Sequence, residues 1–181
     1  MAFTFNKTEI EGLYIIEPQC FGDDRGYFME TYQKDVFDKA GLAFTFVQSN
    51  QSKSHQGVLR GLHFQTGEHA QAKLVRVVSG LAYDVAVDIR KDSLTYGHWC
   101  GVILYPDQMN QFFIPRGCAH GFLALEDNTV FEYKCDNLYC KGSEGGIDPF
   151  DEHLNINWFN YIDKEDMILS EKDLNREKFI W

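Results

Sequence analysis

Apolar residues fall in short bursts separated by turn residues: LYIIEP, YFMETY, FTFVQ, VLRGLHF, KLVRVV, LAYDVAVDI, HWCGVIL, QFFIP, HGFLAL and TVFEYK. Many bursts carry β-branched or aromatic residues and several alternate, which is the pattern of strands. From Leu81 to Ile89 the odd positions are Leu, Tyr, Val, Val and Ile, and the even ones Ala, Asp, Ala and Asp. That period of two predicts a strand with one apolar face. Ser79-Gly80, between two such runs, predicts a tight hairpin turn. Helix signals are few. Asp35 to Ala40, stopped by Gly41, predicts one short helix. SEKDLNREKF, with Ser170 as cap and Asp173 three residues on, predicts another. Many short strands with few helices imply a mainly β fold, a jelly roll or double-stranded β-helix, as one domain over residues 1–181 with a short C-terminal tail. Such barrels take ligands in their mouths or lumens.

Composition narrows the function. The 181 residues carry a formal net charge of −10, which disfavours nucleic-acid polymers. A small anion is still acceptable wherever a few Arg and Lys converge. Aromatics make up 15% of the chain, which suits large side chains on pleated faces. Cys20, Cys100, Cys118, Cys135 and Cys140 form an odd set without CxxC spacing, which predicts free thiols in a reducing cytoplasm. The N-terminus has no charged-then-apolar leader, and no apolar run reaches the roughly 18 residues of a membrane span.

Two histidines stand out. His63 lies in RGLHFQ, inside a strand pattern, and His120 follows the turn IPRGCAHGF. The second motif resembles half of the cupin metal signature. The other half, a His-x-His pair, is missing, because Phe64 and Gln65 follow His63. Two separated histidines are too few ligands for a transition-metal centre, so the expectation is a cupin-like barrel with no metal. A histidine free of metal can act as a general base near neutral pH. Arg60, Lys73, Arg76, Lys134, Tyr133 and Tyr139 are the polar residues nearby in sequence.

The blocks FGDDRGYFMETY, FVQSNQSKSHQGVLRGLHFQ, AQAKLVRVVSGLAYDVAVDIRKDS, IPRGCAHGFLALED, EYKCDNLY, SEGGI and LSEKD resemble the dTDP-4-dehydrorhamnose 3,5-epimerases, in that family's order. The resemblance implies a cupin-type barrel, a homodimer, no cofactor and a nucleotide-sugar substrate, dTDP-4-keto-6-deoxy-D-glucose. It implies His63 as base with Asp173 as its partner, Tyr133 as proton donor and Lys73 as the cation facing an enolate. It implies Arg25, Glu30, Gln48, Asn50, Arg60, His120, Tyr139, Glu144 and Lys172 as substrate-binding residues. The tail resembles the family mainly through LSEKD, so Asp84 is held in reserve as the carboxylate that orients His63.

Taken singly, these residues have plainer readings. Arg25 is a loop ion pair worth under about 1 kcal/mol, Lys73 a solvated edge charge, Glu144 an exposed loop acid and Asp173 a helix-surface residue. One tension is visible. In a regular strand His63 and Arg60 point to opposite faces. For both to serve one site, either the strand bulges near Gly61 or Arg60 reaches a partner subunit's site. The competing functions are a mono-epimerase at C3 or C5, a 3,4-ketoisomerase, a sugar-nucleotide-binding barrel without chemistry, and a metal-dependent dioxygenase. The missing His-x-His disfavours the last.

Overall fold

The computed structural model describes residues 3–180. Strands β1 (Phe3–Lys7), β2 (Tyr14–Pro18), β3 (Cys20–Asp23) and β4 (Gly26–Met29) precede helix α1 (Lys34–Lys39). There follow β5 (Gln48–Ser54), β6 (Leu59–Gln65), β7 (Lys73–Ser79), β8 (Ala82–Asp88), β9 (Trp99–Leu104), β10 (Gln111–Ile114), β11 (Cys118–Ala124), β12 (Thr129–Cys135) and β13 (Glu144–Gly146), then helix α2 (Glu171–Leu174). Two antiparallel sheets form the jelly roll. One has the order β1-β2-β10-β7-β12-β5, the other β13-β6-β11-β8-β9, and β3 and β4 make a separate hairpin. No helix among the described residues is long and apolar enough to cross a membrane.

The lumen between the sheets has an apolar part and a polar part. Val75, Val77, Ala82, Ala86, Leu104, Phe112, Ile114, Phe122 and Phe131 pack together inside. The polar part is the cavity described below. Outside the five-stranded sheet, Tyr83, Val85 and Val87 are covered by Leu154, Ile156, Trp158 and Phe179 from the C-terminal segment. Outside the other sheet, Phe37 of α1, Leu42, Leu74 and Phe113 form a third cluster.

Four expectations from sequence are corrected. Strand β8 is buried on both faces, not one. Its small Ala82 and Ala86 turn into the lumen while its large odd residues meet the C-terminal segment. Ser79-Gly80 is not a hairpin turn, because β7 and β8 lie in different sheets. Gly80, at φ +80°, turns the chain across the barrel against Thr129, whose hydroxyl accepts from the Leu81 N–H at 3.2 Å. The burst FTFVQ is not a strand up to Val47; β5 is instead the polar run QSNQSKS. Phe44 and Phe46 cover the third cluster, whereas the polar Asn50, Gln51 and Ser52 of β5 line the cavity described below. The tail helix stops at Leu174. Beyond it the chain runs extended beside Ile147, with a bridge to Glu177, and inserts Phe179 into the outer core. Tertiary contacts there outweigh a weak helical preference. The Ser170 cap and the Gly41 stop are where sequence puts them.

Candidate active site

A cavity of about 570 Å³ opens at the polar end of the lumen. It is lined by Asn50, Gln51 and Ser52 of β5, Leu59, Arg60 and His63 of β6, Lys73 of β7, His120 and Phe122 of β11, and Phe131 and Tyr133 of β12. Val58 and the tail residues Ile168, Leu169, Ser170, Lys172 and Asp173 complete its wall. The tail is laid there by a parallel bridge from Val58 to Ile168, with Leu59 N–H donating to Ile168 O at 3.0 Å.

A bulge in β6 resolves the question of Arg60 and His63. His63 is registered on His120, yet Arg60 is registered on Phe122, so two residues of β6, Gly61 and Leu62, oppose Gly121 alone. His120 and Phe122 share the lumen face of β11, and the extra residue brings Arg60 onto the face of His63. Only glycine fits at the bulge. Gly61 sits at φ +137°, and a Cβ there would lie 2.5 Å from the Gly121 Cα.

His63 Nε2 lies 2.5 Å from Asp173 Oδ1. Burial alone would raise the Asp173 carboxyl, but the His63 bond and charge, the Ser170 hydroxyl and Arg176 hold it below the usual range. An ionised carboxylate only accepts, so Nε2 carries the proton and Nδ1 keeps its lone pair. Ser170 caps α2 and fixes Asp173 twice, accepting from its backbone N–H at 3.2 Å and donating to Oδ2 at 2.9 Å. Asp84, the reserve partner, is instead hydrogen-bonded to His120, with its two carboxyl oxygens 2.9 and 3.1 Å from His120 Nε2. Burial pushes the Asp84 carboxyl up and the His120 imidazole down, and each opposes the shift of the other.

On the facing sheet, Tyr133 and Lys73 turn into the same cavity. Burial raises the Tyr133 phenol, Cys135 adds to this and Arg60 opposes it. Lys73 is half-buried, with its Nζ 5.9 Å from the centre of the Tyr133 ring. Burial lowers its ammonium, against the pull of Cys135, Asp84 and Glu144. Phe122 and Phe131 stack at 4.0 Å and form an apolar wall.

The remaining expected residues divide into two groups. Gln48 donates to Asn50 Oδ1 at 3.0 Å and accepts from the Tyr139 N–H at 3.0 Å, which orients the cavity-lining amide. Glu144 is not a loop acid. It begins β13, accepts from Tyr139 Oη at 2.8 Å and Lys172 Nζ at 2.5 Å, and is brought to about 2 by Lys172 and Tyr139 although burial alone would raise it. Arg25 and Glu30 are not among the cavity-lining residues. Arg25 lies on the exposed β3–β4 hairpin, paired with Asp23. Sequence reading paired Ser170 with Asp173 as a helix cap, and it missed Arg176. Asp84 was visible as a carboxylate among the small inward residues of an apolar strand, but its partner was not. All five cysteines are free thiols, and among the described residues no three His, Cys, Asp or Glu side chains converge as a metal site.

Comparison with known proteins shows what the whole chain is similar to. The sequence profile of the dTDP-4-dehydrorhamnose 3,5-epimerases matches residues 7–180. The dTDP-4-dehydrorhamnose 3,5-epimerase of Methanothermobacter thermautotrophicus is 51% identical over 96% of this chain and 92% of its own. The crystal structure of dTDP-4-dehydrorhamnose 3,5-epimerase from Elizabethkingia anophelis superposes with a TM-score of 0.95 at 50% identity, covering 99% of this chain and 97% of that one. A dTDP-6-deoxy-D-glucose-3,5-epimerase from Legionella pneumophila, solved in complex with dTDP-4-keto-L-rhamnose, gives 0.91 at 43% identity, covering 97% and 92%. With its barrel, its paired histidine–carboxylate dyads and these matches over nearly its whole length, the chain belongs to the dTDP-4-dehydrorhamnose 3,5-epimerase family.

Proposed function

We propose that the protein inverts C3 and C5 of dTDP-4-keto-6-deoxy-D-glucose, giving dTDP-4-keto-L-rhamnose, by proton transfer without a cofactor. The observation that carries this reading is the placement of His63, held by Asp173, and Tyr133 on facing walls of one cavity. A C4 ketone acidifies the hydrogens on C3 and C5. His63 Nδ1 takes one proton, and the C–H electron pair moves into the ring to give an enolate with its charge on the C4 oxygen. Asp173 stabilises the imidazolium. Lys73 and the His120–Asp84 pair supply positive and donor groups in a poorly solvated lumen, where such terms count for most. Tyr133 returns a proton from the opposite face, which inverts the carbon, and solvent resets both groups.

Arg60 and Lys172 at the mouth suit a diphosphate. Arg25 and Glu30, outside the cavity of their own chain, fit a homodimer in which the β3–β4 hairpin reaches a second copy. Its exposed Phe21, Tyr27 and Phe28 supply the apolar contact. The proposed compartment is the cytoplasm, in keeping with five free thiols.

Proton exchange tests the reading. In deuterated water with dTDP-4-keto-6-deoxy-D-glucose, NMR is expected to show deuterium at both C3 and C5. His63→Ala should lower exchange by about 10²–10⁴-fold. Exchange at one carbon only would make the protein a mono-epimerase, and tight binding without exchange would sink the enzymatic reading.

A further inference from the structure

The tail carries a cation that no step above uses. Arg176 follows α2, with its side chain 13% exposed. Its Nη2 donates to Glu144 Oε1 at 3.2 Å. Its Nε stands 3.9 Å from Asp173 Oδ1, the oxygen that also holds His63. That Nε is buried and has no hydrogen-bond partner, so toward the dyad the guanidinium acts as a charge and not as a donor. The strand beside it makes room. A Cβ at Gly146 would lie 2.4 Å from Arg176 Nε, and Gly146 is the residue of β13 registered on His63.

A cation next to a histidine–carboxylate pair has two effects. It favours the ionised carboxylate, and it disfavours a second positive charge on the ring. Both help a base that must be neutral before turnover and must then keep the abstracted proton on the imidazole, not pass it to the carboxylate. The same guanidinium grips Glu144, which also takes Lys172 and Tyr139, so the base is mechanically tied to the rim of the cavity.

We propose that Arg176 is a positioning residue for the base: its charge favours the ionised form of Asp173 beside His63 and weighs against a second positive charge on the ring. The proposal rests on the reading of His63 as general base. Other groups share the surroundings of His63: Arg60 on its own strand, Glu144 from β13, His120 with Asp84 from β11 and β8, Lys73 and Tyr133 from the facing sheet, and Lys172 and Asp173 from α2. Of these, Glu144 alone is hydrogen-bonded by Arg176, and it keeps Lys172 and Tyr139 as partners when Arg176 is changed.

The test compares wild type with Arg176→Met, Arg176→Lys and Arg176→Gln, the last serving where the methionine variant does not fold. The first readout is the pH profile of kcat/KM on dTDP-4-keto-6-deoxy-D-glucose. The second is NMR titration of the His63 ring in the free protein. Loss of the charge is expected to move the acid limb and the ring titration up by about one pH unit. One unit below the wild-type limb, the rate then falls about tenfold. The high-pH plateau should change less, and Arg176→Lys should return the limb toward wild type. A lower plateau with an unmoved limb, or an unmoved ring titration, would overturn the proposal and leave Arg176 as packing. Should the wild type not turn the substrate over, the ring titration still decides the role of Arg176 while the functional reading fails on its own.

Discussion

Lys73 shows how much of the site depends on placing a single charge. At the start of β7 the sequence allows a solvated edge lysine, yet the ammonium sits half-buried in the lumen, and among the described residues no carboxylate is close enough for a salt bridge with it. Burial lowers it from 10.5. With the folded value below the unfolded one, the unfolded chain binds more protons, so this group costs stability while protonated. Stability then rises with pH from the depressed folded value up to 10.5. Lys73→Met is therefore expected to raise Tm at neutral pH and to remove that rise. It should also slow turnover by about 10²–10³-fold, the usual loss for one group facing a developing oxyanion. Thermal scans against pH and turnover of the same sample check both. A variant that is less stable as well as slower would mean that Lys73 is held by packing.

At the scale of elements, the bulge in β6 does most to assemble the site. A regular strand would turn Arg60 away from His63, and the extra residue at Gly61 and Leu62 brings both to the cavity. Gly61→Ala puts a Cβ against the Gly121 Cα at a φ of +137°. Strain of order 1–3 kcal/mol is expected, read as a Tm loss of roughly 2–12 °C. Activity should fall further than the loss of folded protein accounts for, since both Arg60 and His63 move. Turnover per folded molecule, from activity and circular dichroism on one preparation, decides this. The spacing of Arg60 and His63 left a bulge at Gly61 and a reach into a partner subunit's site as alternatives, and the register of β6 on β11 shows the bulge. The start of β5 was not, because a strand that lines a wet cavity on one face and solvent on the other has no apolar period to read. Likewise, ladder pairing on β6 promotes SEGGI from loop to strand, and no local propensity reports that.

Taken as a whole molecule, the jelly roll separates stability from chemistry. The apolar lumen and two outer clusters hold the sheets together, and the polar end stays open for substrate. The β3–β4 hairpin stands apart from this design. All but one of its eight residues are exposed, and Phe21, Tyr27 and Phe28 are 56%, 61% and 67% exposed. The proposed docking on a second copy would bury these aromatics and give Arg25 a cavity to reach. Replacing Phe21 and Phe28 with Glu is expected to shift the protein from dimer to monomer in sedimentation equilibrium. Tm should change little, because the hairpin shares no ladder with either sheet, and KM should rise through loss of Arg25 from the neighbouring cavity. A dimer that survives the change would place the interface elsewhere.

By itself the sequence determined the mainly β class, most strand positions, the short helix before Gly41, the cap at Ser170 and the family, and it singled out His63, Lys73 and Tyr133, which line one cavity. These rest on local pattern: period-two alternation, turn residues and motif blocks act over a few neighbouring positions. Tertiary structure chose between the expected carboxylate and its reserve, and it alone paired the reserve with His120. Asp173 serves His63 and Asp84 serves His120, though both carboxylates were candidates for one histidine. Ser79-Gly80 crosses between sheets instead of closing a hairpin, and the tail leaves its helix to set Arg176 between Asp173 and Glu144. Each outcome depends on which distant strand lies alongside. In a jelly roll that is settled by closing two sheets around one lumen, and residues more than a hundred positions apart then come within hydrogen-bond reach.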